Sequence, residues 1–139
     1  MVLCFEVQLN KYLVLGNPIE HSLSPQIHQF FAQESGLVIS YGRHLVPLES
    51  FNESINALVD SGYVGFNVTV PFKEEAYKRV DSSNQISSEA QAVNTIRVDS
   101  AGELHGFNTD GLGLTRDLTH RHGISVTNTN ILILSLIHI

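Results

Sequence analysis

The chain has 139 residues, 42% of them apolar and 16% charged, with 8 Lys+Arg against 14 Asp+Glu for a formal net charge of −6. That length suits one domain of roughly 100–150 residues, the composition excludes a disordered chain, and an acidic balance without a basic block offers no face for nucleic-acid phosphates. The single Cys4 excludes an intrachain disulfide, no segment reaches the roughly 18 apolar residues of a membrane span, and the start lacks the basic, apolar pattern of a signal peptide; a cytoplasmic protein is expected.

Strand-like and helix-like stretches alternate, the pattern of an α/β sheet. Tyr12-Leu13-Val14-Leu15 reads as a short strand stopped by Gly16-Asn17-Pro18. Ser24-Pro25 reads as a helix start, with serine capping free backbone N–H groups and proline at the first helical position. Ile27, Phe30 and Phe31 are expected on the buried face of that helix, and Gly36 after its end. Residues 41–46 form a second strand candidate. Leu48, Phe51, Ile55, Leu58 and Val59 recur at helical spacing, with Gly62 as the breaker. Residues 65–70 read as a β-branched strand ending at Pro71, and residues 73–80 as a helix. Residues 92–99 and 103–107 read as a hairpin around Ser100-Ala101-Gly102. A helix over residues 111–122 follows, ending near Gly123, and Ile131-Leu132-Ile133-Leu134 reads as one more buried strand.

Several polar groups interrupt this pattern. Ser22-Leu23-Ser24-Pro25 puts two hydroxyls at a helix start, where backbone N–H groups favour a carboxylate; the same serines also suit a plain cap and turn. In Asn67-Val68-Thr69-Val70-Pro71-Phe72-Lys73 the side chains of Asn67 and Thr69 fall on one side of a strand. Lys73 lies just past its carboxyl end, where open α/β sheets hold ligands. The alternative is a surface lysine, although a helix start favours an acid over a cation. Asn94, in Ala92-Val93-Asn94-Thr95, is a buried hydrogen-bonder or a ligand contact. Asp110, in Asn108-Thr109-Asp110-Gly111, is a helix cap or half of a Lys73–Asp110 pair holding a hydroxyl from two sides. The seven histidines show no metal spacing, and no metal is expected.

The order of these motifs resembles the shikimate dehydrogenase family. Gly16-Asn17-Pro18-Ile19 leading into His21-Ser22-Leu23-Ser24-Pro25-Gln26-Ile27-His28 is similar to the family's opening, and the motifs around Lys73, Asn94 and Asp110 follow in family order. The similarity runs from about Tyr12 to Leu134. It implies NADPH-dependent reduction of 3-dehydroshikimate to shikimate on the route to chorismate and the aromatic amino acids. It implies that Ser22 and Ser24 hold the substrate carboxylate, and that Thr69, Lys73, Asn94 and Asp110 surround the ring hydroxyls and the reacting oxygen, with Asn67 expected among the substrate-binding residues. Lys73 and Asp110 match the catalytic pair. A non-catalytic shikimate-binding module and a quinate-preferring dehydrogenase are the alternatives.

The chain departs from the family pattern in two places. Gln91 stands where the family has a glycine before Ala-Val-Asn-Thr. After Leu134 the family continues with a glycine-rich phosphate turn and a dinucleotide domain, whereas here the residues read Ser135-Leu136-Ile137-His138-Ile139. The expected organisation is therefore a substrate-binding domain over 1–110 with a mixed, mainly parallel sheet and flanking helices. A connecting helix and linker over 111–127 follow, then over 128–139 the first strand of a truncated Rossmann domain with a non-native end. The cofactor, NADP by family, is expected to find no binding segment here, and the chain is expected to be inactive alone.

Overall fold

A computed structural model of the chain describes residues 9–134. They fall into two compact units divided between Asn108 and Thr109.

The first unit is built on a six-stranded mixed sheet. Its strands are β1 (Asn10–Gly16), β2 (Ile39–Leu45), β3 (Tyr63–Val68), β4 (Ser82–Ser83), β5 (Thr95–Val98) and β6 (Leu104–Phe107), in the order β2-β1-β3-β5-β6-β4. The β1/β2, β1/β3 and β4/β6 pairs are parallel, and β3/β5 and β5/β6 are antiparallel. Helices α1 (Ser24–Glu34), α2 (Phe51–Asp60), α3 (Lys73–Arg79) and α4 (Gln85–Ala90) connect them.

Alternation along β1 and β3 divides the sheet into two unlike faces. Leu13, Leu15, Phe66 and Val68 point into the main core, where they meet Phe51, Ile55 and Leu58 of α2 and Phe72 and Ala76 at α3. Phe51 and Phe72 stack there at 5.3 Å between ring centroids. The helical spacing read from Phe51, Ile55 and Leu58 is thus the buried stripe of α2. Gly62 follows at φ 81°, a left-handed position that glycine takes without strain.

The opposite face carries Tyr12, Val14, Tyr41, Arg43, Asn67 and Thr95, and α1 packs there against β2 and β1. Ile27, Phe30 and Phe31, expected in the buried face of α1, are 47%, 57% and 55% exposed. The stripe that α1 turns to the sheet instead contains His28, stacked on Tyr41, and the buried Ala32. Periodicity shows that apolar side chains share a helix face; it does not show that the face is covered.

Two further expectations are corrected in this unit. Ser24 is the first residue of α1 rather than its cap, and Ser22 Oγ accepts the Ser24 N–H at 3.3 Å. Strand β3 ends at Val68, so Thr69 lies in the following turn, its N–H bonded to Leu15 O at 2.9 Å. The short β4 and α4 were not anticipated. Asn84 caps α4 by accepting the Ser87 N–H at 3.0 Å, and Gln91 closes it at φ 49°.

In the second unit α5 (Asp110–Arg116) runs into a π-helical turn over Asp117–Arg121, and Gly123 follows. Thr109 occupies the cap position and Asp110 is the first helical residue. Ile131, Leu132, Ile133 and Leu134 are 61–83% exposed and belong to no strand, contrary to the buried strand read from the sequence. A strand requires a neighbour for its backbone groups, and none of the described strands pairs with them. The remainder of the expected truncated domain, residues 135–139, lies outside the described residues. No described helix is long and apolar enough to cross a membrane.

Candidate functional site

The parallel strands β1 and β3 are neighbours, yet their following helices lie on opposite faces of the sheet: α1 against the Tyr41 face, α3 in the core. Loops leaving adjacent strands in opposite directions open a crevice at the strands' carboxyl ends, the usual ligand position in open α/β sheets. A cavity of about 260 Å³ sits there, lined by Pro18, Ile19, His21 and Ser22 from the first loop and Thr69 from the second.

Backbone bonds bring the two loops together. Asn17 N–H donates to Val70 O at 3.0 Å, and Asn17 Nδ2 donates to Val46 O at 2.9 Å. The β1–α1 loop is also held from the side: Arg43 Nε donates to Ser22 O at 2.8 Å and its Nη2 to Gln26 Oε1 at 3.2 Å.

The polar residues of the Tyr41 face are linked. Ser22 Oγ donates to Ser24 Oγ at 3.1 Å. Tyr41 donates its hydroxyl to Asn67 Oδ1 at 2.6 Å. Asn67 Nδ2 donates to Thr95 Oγ1 at 3.2 Å and to Asn94 O at 3.4 Å, and Thr95 Oγ1 donates to Asn94 Oδ1 at 2.9 Å. The His28 ring lies parallel to Tyr41 with centroids 4.2 Å apart. Burial raises the Tyr41 pKa well above the usual tyrosine range, opposed by a hydrogen bond with Ser24. Burial also lowers the His28 pKa, opposed by its bond with Asn67.

Six of the seven residues singled out from the sequence therefore lie in the first unit. Ser22 and Thr69 line the crevice, and Ser24, Asn67 and Asn94 belong to the polar face beside it. Lys73 opens α3 in the chain following Thr69, and its carbonyl accepts the Val93 N–H at 2.9 Å, which ties the Ala92-Val93-Asn94 segment to α3. Asp110 opens α5 in the second unit. Sequence reasoning missed Tyr41 and His28, whose part in the network depends on the contact between α1 and β2. It also missed Asp99, Glu103 and His105, whose potential ligand atoms lie within 4.8 Å of one another across the hairpin. There His105 Nε2 meets Asp99 Oδ2 at 2.9 Å and Nδ1 meets Ser82 Oγ at 2.8 Å, a pinning of the hairpin.

The sequence model of the shikimate dehydrogenase substrate binding domain matches residues 14–96, more than half of the chain. The chain belongs to this family. It is 48% identical over 125 residues to a shikimate dehydrogenase (NADP(+)) of Alkalilimnicola ehrlichii, an alignment covering 90% of this chain and 46% of that protein. A relative from Coxiella burnetii with the same name is 41% identical, with the same coverage. Among solved structures, the shikimate dehydrogenase of Thermus thermophilus in complex with shikimate superposes with a TM-score of 0.78 at 35% identity, covering 87% of this chain and 46% of that one. The chain thus spans about half the length of the relatives it matches.

Proposed function

We propose that this chain is the substrate-holding half of an NADP-dependent shikimate dehydrogenase, which reduces 3-dehydroshikimate to shikimate. The observation that carries the reading is the crevice between the loops after β1 and β3, lined by Ser22 and Thr69 within the segment that matches the family. In this reading the hydroxyls of Ser22 and Ser24 donate to the substrate carboxylate. Asn67, Thr69 and Asn94 hydrogen-bond the ring hydroxyls. Reduction of a ketone builds negative charge on its oxygen. The Lys73 ammonium stabilises that charge and gives the oxygen its proton. Asp110 is assigned the role of orienting the reacting hydroxyl by its place in Asn108-Thr109-Asp110-Gly111.

Among the described residues, Ile131 to Leu134 are exposed and outside any strand, so they form no strand-to-helix turn of the kind that cradles a dinucleotide. The residues of this chain are accordingly assigned only the oxygen side of the reaction. The test is steady-state oxidation of shikimate with NADP+ by a protein in which this chain is continued by the second half its relatives carry. Turnover with shikimate is expected. A well-folded protein that binds NADP+ yet turns over no shikimate would contradict the reading.

A further inference from the structure

We propose that Tyr41 is a positioning residue of this site, fixing the Asn67 amide and thereby joining the carboxylate end to the ring-hydroxyl end. The inference rests on the proposed function and adds a residue to it.

Tyr41 lies on β2, the edge strand, and Asn67 on β3, with β1 between them. In parallel register Tyr41 pairs with Tyr12, which pairs with Gly65, so Asn67 stands two residues further along the same face. The phenol reaches across β1 to donate to Asn67 Oδ1 at 2.6 Å. The Asn94 carbonyl can only accept, so it selects the flip in which Nδ2 faces it, and the Tyr41 hydroxyl holds that orientation from the other side by donating to Oδ1. With Oδ1 facing Tyr41, Nδ2 is the atom that faces Thr95 Oγ1 and Asn94 O, and Thr95 in turn donates to Asn94 Oδ1. Donors then point one way from Tyr41 to Asn94, which fixes which Asn94 atom faces Thr95.

At its other end the Tyr41 oxygen shares a hydrogen bond with Ser24, whose hydroxyl also accepts from Ser22. Ser24 carries one hydroxyl proton. A carboxylate bound at the serines requires that proton, so Ser24 can donate to Tyr41 or to the carboxylate, but not to both. The His28 ring stacked at 4.2 Å holds the phenol plane, so the hydroxyl stays on Asn67 while Ser24 turns to the ligand. Removing the hydroxyl alone should therefore weaken the ring end and leave the carboxylate end unharmed.

The test is titration of the 139-residue chain, followed by NMR, with two probes. One is shikimate; the other is cyclohex-1-ene-1-carboxylate, which keeps the carboxylate and lacks the ring hydroxyls. Tyr41→Phe is expected to weaken shikimate about two- to tenfold, the scale of one neutral hydrogen bond, and to leave the cyclohexene acid unchanged or slightly tighter. Asn67→Ser should show the same selective loss, and the double variant should be no weaker than Asn67→Ser alone. Equal losses for both probes would mark a merely structural role and overturn the proposal, as would unchanged shikimate affinity in Tyr41→Phe. If Tyr41→Phe does not fold, Asn67→Ser decides: a loss shared by both probes overturns the proposal. A wild-type chain that binds neither probe would instead overturn the function reading, and the Tyr41 role with it.

Discussion

A Cβ added to Gly16 would stand 2.6 Å from Thr69 Cγ2 and 2.9 Å from Ile19 Cδ1. Both contacted residues line the crevice, so the missing side chain at the end of β1 is what lets the two loops approach each other. Gly16→Ala is expected to cost about 1–3 kcal/mol of stability, the range for overpacking a tight site. Thr69→Ser in the same chain removes the closest atom and should recover part of that loss. The check is thermal unfolding of the single and double variants; a Gly16→Ala chain as stable as wild type would show that the loops yield easily.

Gln91 holds φ 49° at the end of α4, where its N–H bonds to Ser87 O. A left-handed residue with a Cβ carries a steric cost of roughly 1–2 kcal/mol, partly offset in a glycine by the extra freedom of its unfolded chain. Gln91→Gly is expected to raise Tm by a few degrees, and Gln91→Val, β-branched in the same conformation, to lower it. Opposite signs in calorimetry support this account, whereas an unchanged Tm in both would contradict it.

His28 gives a pH dependence with a definite sign. Burial against Tyr41 lowers its folded pKa below the ordinary histidine value of about 6.5, so the unfolded chain binds the proton more tightly. The folded state keeps its full share of stability above pH 6.5 and loses some as the pH falls from there toward the depressed folded pKa. His28→Phe retains an aromatic ring and removes the titration. Denaturant unfolding between pH 7.5 and 5 should show a shallower fall in stability for the variant than for wild type. Equal slopes would mean that His28 titrates as freely folded as unfolded.

Much of this was legible in the sequence because it rests on local rules. The apolar run of β1 stopped by a turn, the period of α2 and the hairpin of β5 and β6 are set by residues close in the chain. Strand β4 and helix α4 were not, because Ser82, Ser83 and Gln85–Ala90 contain one large apolar side chain, Ile86, and so no period. The structure also gave physical content to one departure from the family pattern: Gln91 does occupy a position suited to glycine. The polar motifs could be picked out one by one, but not their wiring. Tyr41 reads as an ordinary strand tyrosine until α1 is laid across β2 and its hydroxyl meets Asn67. The apolar stripe of α1 failed for the converse reason, since nothing local says which side of a helix meets the sheet.

Lys73 carries the chemical step in the proposed function, and its effect should fall on turnover more than on binding. In a protein extended by the second half of its relatives, Lys73→Ala is expected to lower kcat about 10²–10⁴-fold, the usual contribution of a general acid–base group, with a small change in substrate affinity. Stopped-flow and steady-state rates separate the two quantities. Near-normal turnover would remove Lys73 from the mechanism.

The most direct measurement is isothermal titration of the 139-residue chain with shikimate and, separately, with NADPH, using Ser24→Ala as the control for the carboxylate end. Ser22 and Thr69 line the crevice and Asn94 belongs to the polar face beside it, whereas the described residues 131–134 form no strand-to-helix cradle for a dinucleotide. The account predicts weak, saturable shikimate binding that Ser24→Ala reduces, and no specific NADPH binding. Tight NADPH binding, or shikimate binding that Ser24→Ala leaves untouched, would contradict it.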